Sequence, residues 1–209
     1  MKLSVSILST DNRVECIKKL NNTNIDFFHI DVMDGKFVNN FQLPIEEVNN
    51  LSKYTKKPLD IHLMVDNPIE YINKLDNNNI RNITIHEEIK EDKIEILKKI
   101  KNKGYKVGLS IKPNTDINRL IPYLSLIDII LIMSVEPGLG GQEFIPTTIN
   151  KIKQLREILG DKNIEIEVDG GINNSNIILL AEEKVDVSVV GSYITNSDNY
   201  TNQIDKLKI

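Results

Sequence analysis

Short apolar runs alternate with longer amphipathic stretches from one end of the chain to the other. The runs fall at 3–8, 27–32, 59–65, 83–86, 106–111, 127–133, 164–168 and 187–190. Runs of strand length bounded by polar segments predict buried strands, and the stretches between them predict helices. The segment 94–102 sets Ile94, Leu97 and Ile100 on one helical face, and 147–159 does the same with Ile149, Ile152, Leu155 and Ile158. Strand followed by helix, repeated along the whole length, argues for a parallel sheet.

Eight such units in 209 residues fit a compact (β/α)8 TIM barrel that forms a single domain over 1–209. A doubly wound sheet also accommodates eight strands. Against it, no Gly-x-Gly-x-x-Gly follows the first strand, and the notable polar residues gather at the carboxyl ends of many strands, not at one switch point. No linker or shift of composition marks a second domain.

A barrel of this kind carries its chemistry at the carboxyl ends of its strands. Those ends present Ser6, His29 and Asp31, His62, His86, Lys112, Met133, Asp169, and finally Gly191-Ser192. In His29-Ile-Asp-Val-Met-Asp-Gly35, residues two apart share a strand face, so His29, Asp31 and Met33 look into one cavity. His62 and Met64 repeat the arrangement on the next strand. In a closed ring the second and seventh strands are separated by the first and eighth, which sets Asp31 and Asp169 facing each other across the mouth. Opposed carboxylates suit a two-base proton transfer, one removing a proton from a carbon and the other returning it to the opposite face. Imidazoles and carboxylates together form a mixed N/O set for one divalent metal ion, with Zn²⁺ expected first and Fe²⁺, Mn²⁺ or Co²⁺ as alternatives. Such an ion stabilises the negative charge of an ene-diolate formed beside a ketone.

Two glycine-rich junctions, Asp169-Gly-Gly171 and Val190-Gly-Ser192, follow the last two strands, where this fold commonly binds a phosphate. Glu136-Pro-Gly-Leu-Gly-Gly-Gln142 is a glycine-hinged loop before a helix that starts near Pro146, and it reads as a mobile lid. The net charge of −4, with lysines spread over helix faces, excludes a general nucleic-acid binder. A single cysteine, Cys16, permits no internal disulfide and reads as a buried thiol. The opening apolar run is too short for a signal peptide or membrane span, so a cytoplasmic protein with no membrane partner is expected.

The chain resembles the ribulose-phosphate 3-epimerase family. Seven ordered motifs carry the resemblance: Ser6-Ile-Leu-Ser9, His29-Ile-Asp-Val-Met-Asp-Gly35, Asp60-Ile-His-Leu-Met-Val65, Val107-Gly-Leu-Ser-Ile-Lys-Pro113, Met133-Ser-Val-Glu-Pro-Gly-Leu-Gly-Gly-Gln142, Glu167-Val-Asp-Gly-Gly171 and Gly191-Ser192. It implies a metal-dependent isomerase of the pentose phosphate pathway that interconverts D-ribulose 5-phosphate and D-xylulose 5-phosphate through an ene-diolate. It also implies His29, Asp31, His62 and Asp169 as metal ligands, with Asp31 and Asp169 doubling as the acid–base pair. Substrate contacts carried over in the same way are Ser6, Met33, His62, Met64, Met133, Gly138, Leu139, Gly140, Gly141, Gly170, Gly171, Gly191 and Ser192. A small phosphosugar as partner and a homo-oligomer follow from the resemblance alone. Leu139 stands where the family has Phe, and Tyr193 where a small residue is common. These departures keep open a 3-epimerase of a phosphorylated hexulose, of the allulose 6-phosphate type. A non-catalytic phosphate-ligand binding barrel is the distant alternative and would need a broken metal set. Decarboxylases and aldol lyases built on barrels need a lysine constellation, for which Lys112 stands alone.

Overall fold

In a computed structural model that describes residues 1–208, the alternation becomes a closed ring of strands wrapped by helices. In chain order the elements are β1 (Lys2–Ser6), α1 (Arg13–Asn21), β2 (Phe27–Asp34), β3 (Phe41–Gln42), α2 (Ile45–Asn50), β4 (Leu59–Met64), α3 (Pro68–Lys74), β5 (Ile80–His86) and α4 (Lys93–Asn102). They continue with β6 (Lys106–Ile111), β7 (Ile129–Met133), α5 (Thr148–Leu159), β8 (Glu165–Asp169), α6 (Ile177–Glu182), β9 (Val187–Val190), α7 (Ser192–Thr195) and α8 (Tyr200–Asp205). Residue 209, the last of the expected domain, lies outside the described residues.

The sheet runs β1-β9-β8-β7-β6-β5-β4-β2, and a parallel pairing of β1 with β2 closes it into a (β/α)8 TIM barrel. All eight expected strands are present, with ends shifted by a few residues; the first stops at Ser6, and the fourth begins at Ile80, ahead of the expected 83. Two elements differ from expectation. The two-residue β3 pairs antiparallel with the end of β2, and it is too short to leave a pattern in the sequence. After β6 the connection is a 3-10 helix, Ile117–Tyr123, in place of an α-helix. Pro122 lies inside it and cannot donate an N–H, while the Asp116 side chain caps its start by accepting from Asn118 N–H.

The two faces of each barrel strand have opposite chemistry. Phe28, Ile30 and Val32 of β2 point outward into the main apolar core, as do Ile61 and Leu63 of β4, Ile83 and Ile85 of β5, and Ile166 and Val168 of β8. Helices seal that layer: α4 buries Ile96, Leu97 and Ile100, and α5 buries Ile152, Leu155 and Leu159. Ile94 is 43% exposed, so the buried stripe of α4 passes through Ile96 instead. Asp92 caps that helix by accepting from the N–H groups of Ile94 and Glu95. Each buried Leu or Ile contributes roughly 1.5–3 kcal/mol, and this outer layer carries the fold.

The inner face is free to be polar. Ser4, His29, Asp31, Asp60, His62, Asn82, Thr84, His86, Ser110 and Glu167 are all buried inside the barrel. Polar groups taken out of water cost several kcal/mol each unless they find partners. The partners they find define the site.

Candidate active site and metal centre

Parallel register brings the polar residues to one level. Asp31 pairs with His62, His29 with Asp60 and Met33 with Met64 across β2 and β4. Ser6 pairs with His29 across β1 and β2, and Met133 pairs with Asp169 across β7 and β8. The four expected ligands, His29, Asp31, His62 and Asp169, each offer one donor atom, and these atoms all lie within 4.8 Å of one another.

The donor geometry fits a divalent ion. His29 Nε2 is buried with no hydrogen-bond partner, 3.3 Å from Asp31 Oδ1 and 3.9 Å from Asp169 Oδ2. His62 Nδ1 lies 3.2 Å from the same Asp31 oxygen. Ligand bonds of about 2.0–2.2 Å around a tetrahedral centre place donors about 3.3–3.6 Å apart, so the two contacts to Asp31 suit one small cation, and Asp169 stands slightly farther out. Two imidazoles and two carboxylates also match the borderline preferences of Zn²⁺ and its neighbours.

A second layer holds the first in place. Asp60 Oδ2 accepts from His29 Nδ1 at 2.7 Å and from Ser4 Oγ at 2.9 Å, while Asp60 Oδ1 accepts from Asn82 Nδ2 at 2.6 Å. With a proton on Nδ1, His29 turns its Nε2 lone pair toward the ligand cluster. Glu167 sits beneath, its Oε1 3.8 Å from His29 Nδ1. Ser6 Oγ donates to Asp31 Oδ2 at 2.9 Å and fixes that carboxylate. Asp60 and Glu167 were not among the sequence-derived site residues. The signal for both was present, since each stands two positions before a candidate ligand and so shares its strand face.

Burial and neighbours push the carboxylates apart in acidity. Burial disfavours the charge on Asp31, but His29 and His62 outweigh it and hold the group well below the usual carboxylate range. Asp169 goes the other way: burial raises it to about 6, with His29 opposing the rise and Asp31 adding to it. Burial, then the Asp60 charge, pushes Glu167 well above its ordinary value. Burial opposes charge on His29 too, yet the Asp60 and Asp31 carboxylates raise its pKa well above the usual imidazole value. Below that raised pKa the ring is protonated and Nε2 has no lone pair to offer. Apparent Zn²⁺ affinity is therefore expected to fall as pH drops, by about tenfold per pH unit for each proton displaced. Competition with a chelator of known affinity across a pH series checks it; a flat series contradicts the assignment of His29.

Above the cluster opens a narrow cleft. Of the expected substrate contacts, Ser6, Met64, Met133, Gly138, Leu139, Gly140, Gly141, Gly170, Gly171, Gly191 and Ser192 line it, together with the two aspartates. Met33 and His62 do not. Met33 packs behind Met64 with Val38 and borders a separate cavity beside Phe41 and Tyr71, and His62 is fully buried below the floor. The 136–142 loop roofs the cleft: Asn40 Nδ2 donates to the Gly138 carbonyl at 3.2 Å, and Gln142 Nε2 donates to the carbonyls of Glu136 and Leu139 at 2.6 and 2.8 Å. Leu139 is 66% exposed at its tip. Gly171 adopts φ +65°, and a Cβ there would lie 2.3 Å from the Phe144 backbone nitrogen, so only glycine allows this turn to lie against the base of the loop.

The model of the ribulose-phosphate 3 epimerase family matches residues 2–195, a span that takes in every ligand and cleft residue described above. The ribulose-phosphate 3-epimerase of Buchnera aphidicola is 41% identical over 208 residues, covering 95% of this chain and 90% of that one. That of Mycobacterium tuberculosis is 38% identical over 176 residues, covering 83% of this chain and 77% of its own. Among solved structures, 3-hexulose-6-phosphate synthase from Salmonella typhimurium superposes with a TM-score of 0.71 at 17% identity, covering 99% of this chain and 96% of that one, which speaks to the fold alone. The chain belongs to the ribulose-phosphate 3-epimerase family, and with it to the isomerases.

Proposed function

We propose that this chain is a metal-dependent 3-epimerase interconverting D-ribulose 5-phosphate and D-xylulose 5-phosphate by two-base proton transfer. The observation that carries the reading is the convergence of His29, Asp31, His62 and Asp169 on one point of the cleft floor, with His29 Nε2 buried and unpartnered among them. The relatives named above are 3-epimerases of this sugar phosphate, which supports the substrate class. We read the chain as one domain, since its main apolar core draws on residues from Leu3 to Leu207. Among the described residues no helix is long and apolar enough to cross a membrane. A homologue from Oryza sativa is named a cytoplasmic isoform, in keeping with a cytoplasmic site of action.

In this reading Asp31 and Asp169 address opposite faces of the sugar C3. One carboxylate takes the C3 proton, the electron pair moves into an ene-diolate, and the other carboxyl delivers a proton to the far face. Asp169, whose carboxyl holds a proton more readily than that of Asp31, is suited to start as the acid, and Asp31 to start as the base. A divalent ion held by the four ligands supplies the positive charge that stabilises negative charge developing on the substrate oxygens. Met64 and Met133 wall the reacting carbon with groups that neither donate nor accept protons readily. Gly170, Gly171, Gly191 and Ser192 offer backbone close to the phosphate end. Closure of the 136–142 loop excludes water from the ene-diolate.

Substrate size separates this reading from the hexulose alternative. A pocket distinguishes one additional carbon unit by about 10- to 200-fold in kcat/KM; of the two departures from the family pattern, Leu139 lines the cleft and Tyr193 packs against the apolar core. The test is a comparison of kcat/KM for ribulose 5-phosphate and allulose 6-phosphate with zinc-loaded protein. Preference for the pentulose is expected. Preference for the hexulose moves the chain to the alternative, and inertness with both favours the binding barrel.

A further inference from the structure

The third histidine has no part in the ligand cluster, yet it is fully buried and touches it. His86 Nε2 lies 2.8 Å from His62 Nε2, and His86 Nδ1 lies 3.1 Å from Glu88 Oε2. The two rings stand 4.9 Å apart between centroids, and the Phe37 ring covers His86 at 4.7 Å. The other Glu88 oxygen accepts from Lys112 N–H at 2.7 Å and from the Thr115 hydroxyl. A carboxylate that already receives these two donors is an acceptor toward every neighbour.

With a cation held between His62 Nδ1 and Asp31, that inventory leaves one proton order along the chain of groups. Glu88 accepts, so His86 Nδ1 carries the hydrogen. A neutral His86 then presents a lone pair at Nε2, so the hydrogen in the contact with His62 belongs to His62 Nε2. His62 Nδ1 is left with its lone pair, facing Asp31 Oδ1 at 3.2 Å. The reverse order would set a lone pair of His86 Nδ1 against the Glu88 carboxylate.

We propose that His86 and Glu88 are positioning residues that lock His62 in the tautomer with hydrogen on Nε2, so that Nδ1 is presented to the metal centre. The relay reaches the cluster from the β5 and β6 side, just as Asp60 reaches His29 from below. Both imidazole ligands are thereby oriented by a carboxylate, His29 directly through Asp60 and His62 through one intervening ring. The inference rests on the reading of His62 as a ligand. It goes further in assigning work to Glu88, which lies beyond the strand end and lines none of the cleft.

The relay makes an isosteric prediction. In Glu88→Gln the amide oxygen stays with Lys112 N–H and Thr115, which turns the NH₂ toward His86 Nδ1. That donor reverses the proton order and places hydrogen on His62 Nδ1. Zn²⁺ affinity is expected to fall by about 10- to 100-fold in Glu88→Gln and in His86→Leu. His86→Gln keeps an acceptor for His62 and a donor for Glu88, and is expected to restore most of the affinity. Long-range ¹H–¹⁵N spectra of the zinc-loaded protein report the His62 tautomer: hydrogen on Nε2 in the parent protein is expected, shifting to Nδ1 in Glu88→Gln. Hydrogen on Nδ1 in the parent, unchanged Zn²⁺ affinity in both disruptive variants, or an equal loss in His86→Gln and His86→Leu each overturns the relay. Failure of the parent to bind Zn²⁺ at all overturns instead the ligand role of His62 and with it the relay's purpose.

Discussion

Asp169→Asn is expected to lower kcat by about 10²- to 10⁴-fold, the usual worth of a positioned proton donor or acceptor. The amide keeps the shape of the side chain but cannot exchange a proton with C3. Asp169 is 17% exposed and sits above the outer apolar layer, so the fold has no need of its charge. Removing it also relieves repulsion against Asp31, and thermal stability should hold or rise. The same change at Asp31 is expected to cost at least as much, because that carboxylate also accepts from Ser6 and lies within reach of both His29 and His62. Kinetics alongside thermal melts check both variants. Near-normal turnover in either one contradicts the assignment of that residue as an acid–base group.

Removal of the bound divalent ion with a strong chelator is expected to reduce turnover by about 10²- to 10³-fold, since charge stabilisation of several kcal/mol at ~1.4 kcal/mol per tenfold is lost. Zn²⁺, Co²⁺, Mn²⁺ or Fe²⁺ should restore it, each to its own level. The backbone should survive the treatment. His29 stays hydrogen-bonded to Asp60, and the apolar layer between strands and helices does not involve the ligands. Circular dichroism before and after chelation separates loss of metal from loss of fold. Full activity in a preparation shown by elemental analysis to be free of divalent ions contradicts the metal reading.

The ring of strands is legible in the sequence because its outer face is a continuous Ile, Val and Leu layer, and such runs stand out against polar connections. The ligand cluster is legible because residues two apart share a strand face, which ties His29 to Asp31 and His62 to Met64 by pattern alone. Asp60 and Glu167 obey the same rule but escape notice, since each lies inside a run read chiefly for its apolar members. Glu88 leaves no pattern at all. Its partners, His86, Lys112 and Thr115, come from two strand ends and a loop, and only folding brings them together. The 3-10 helix after β6 is hidden by periodicity that suits either helix type, with Pro122 the one local sign against a regular α-helix. Met33 shows the limit of the face rule: it packs with Met64, yet only Met64 lines the cleft.

The most direct test of two opposed bases is the fate of the C3 hydrogen in one turnover. Zinc-loaded protein equilibrated in deuterium oxide is given ribulose 5-phosphate, the reaction is stopped early, and both sugars are measured by NMR. Xylulose 5-phosphate carrying deuterium at C3, beside recovered ribulose 5-phosphate that still holds protium, is the expected result, because the second carboxyl delivers a hydrogen drawn from solvent. Xylulose 5-phosphate that retains the original C3 protium would mean that one group carried the same proton from face to face, and the pairing of Asp31 with Asp169 would be wrong.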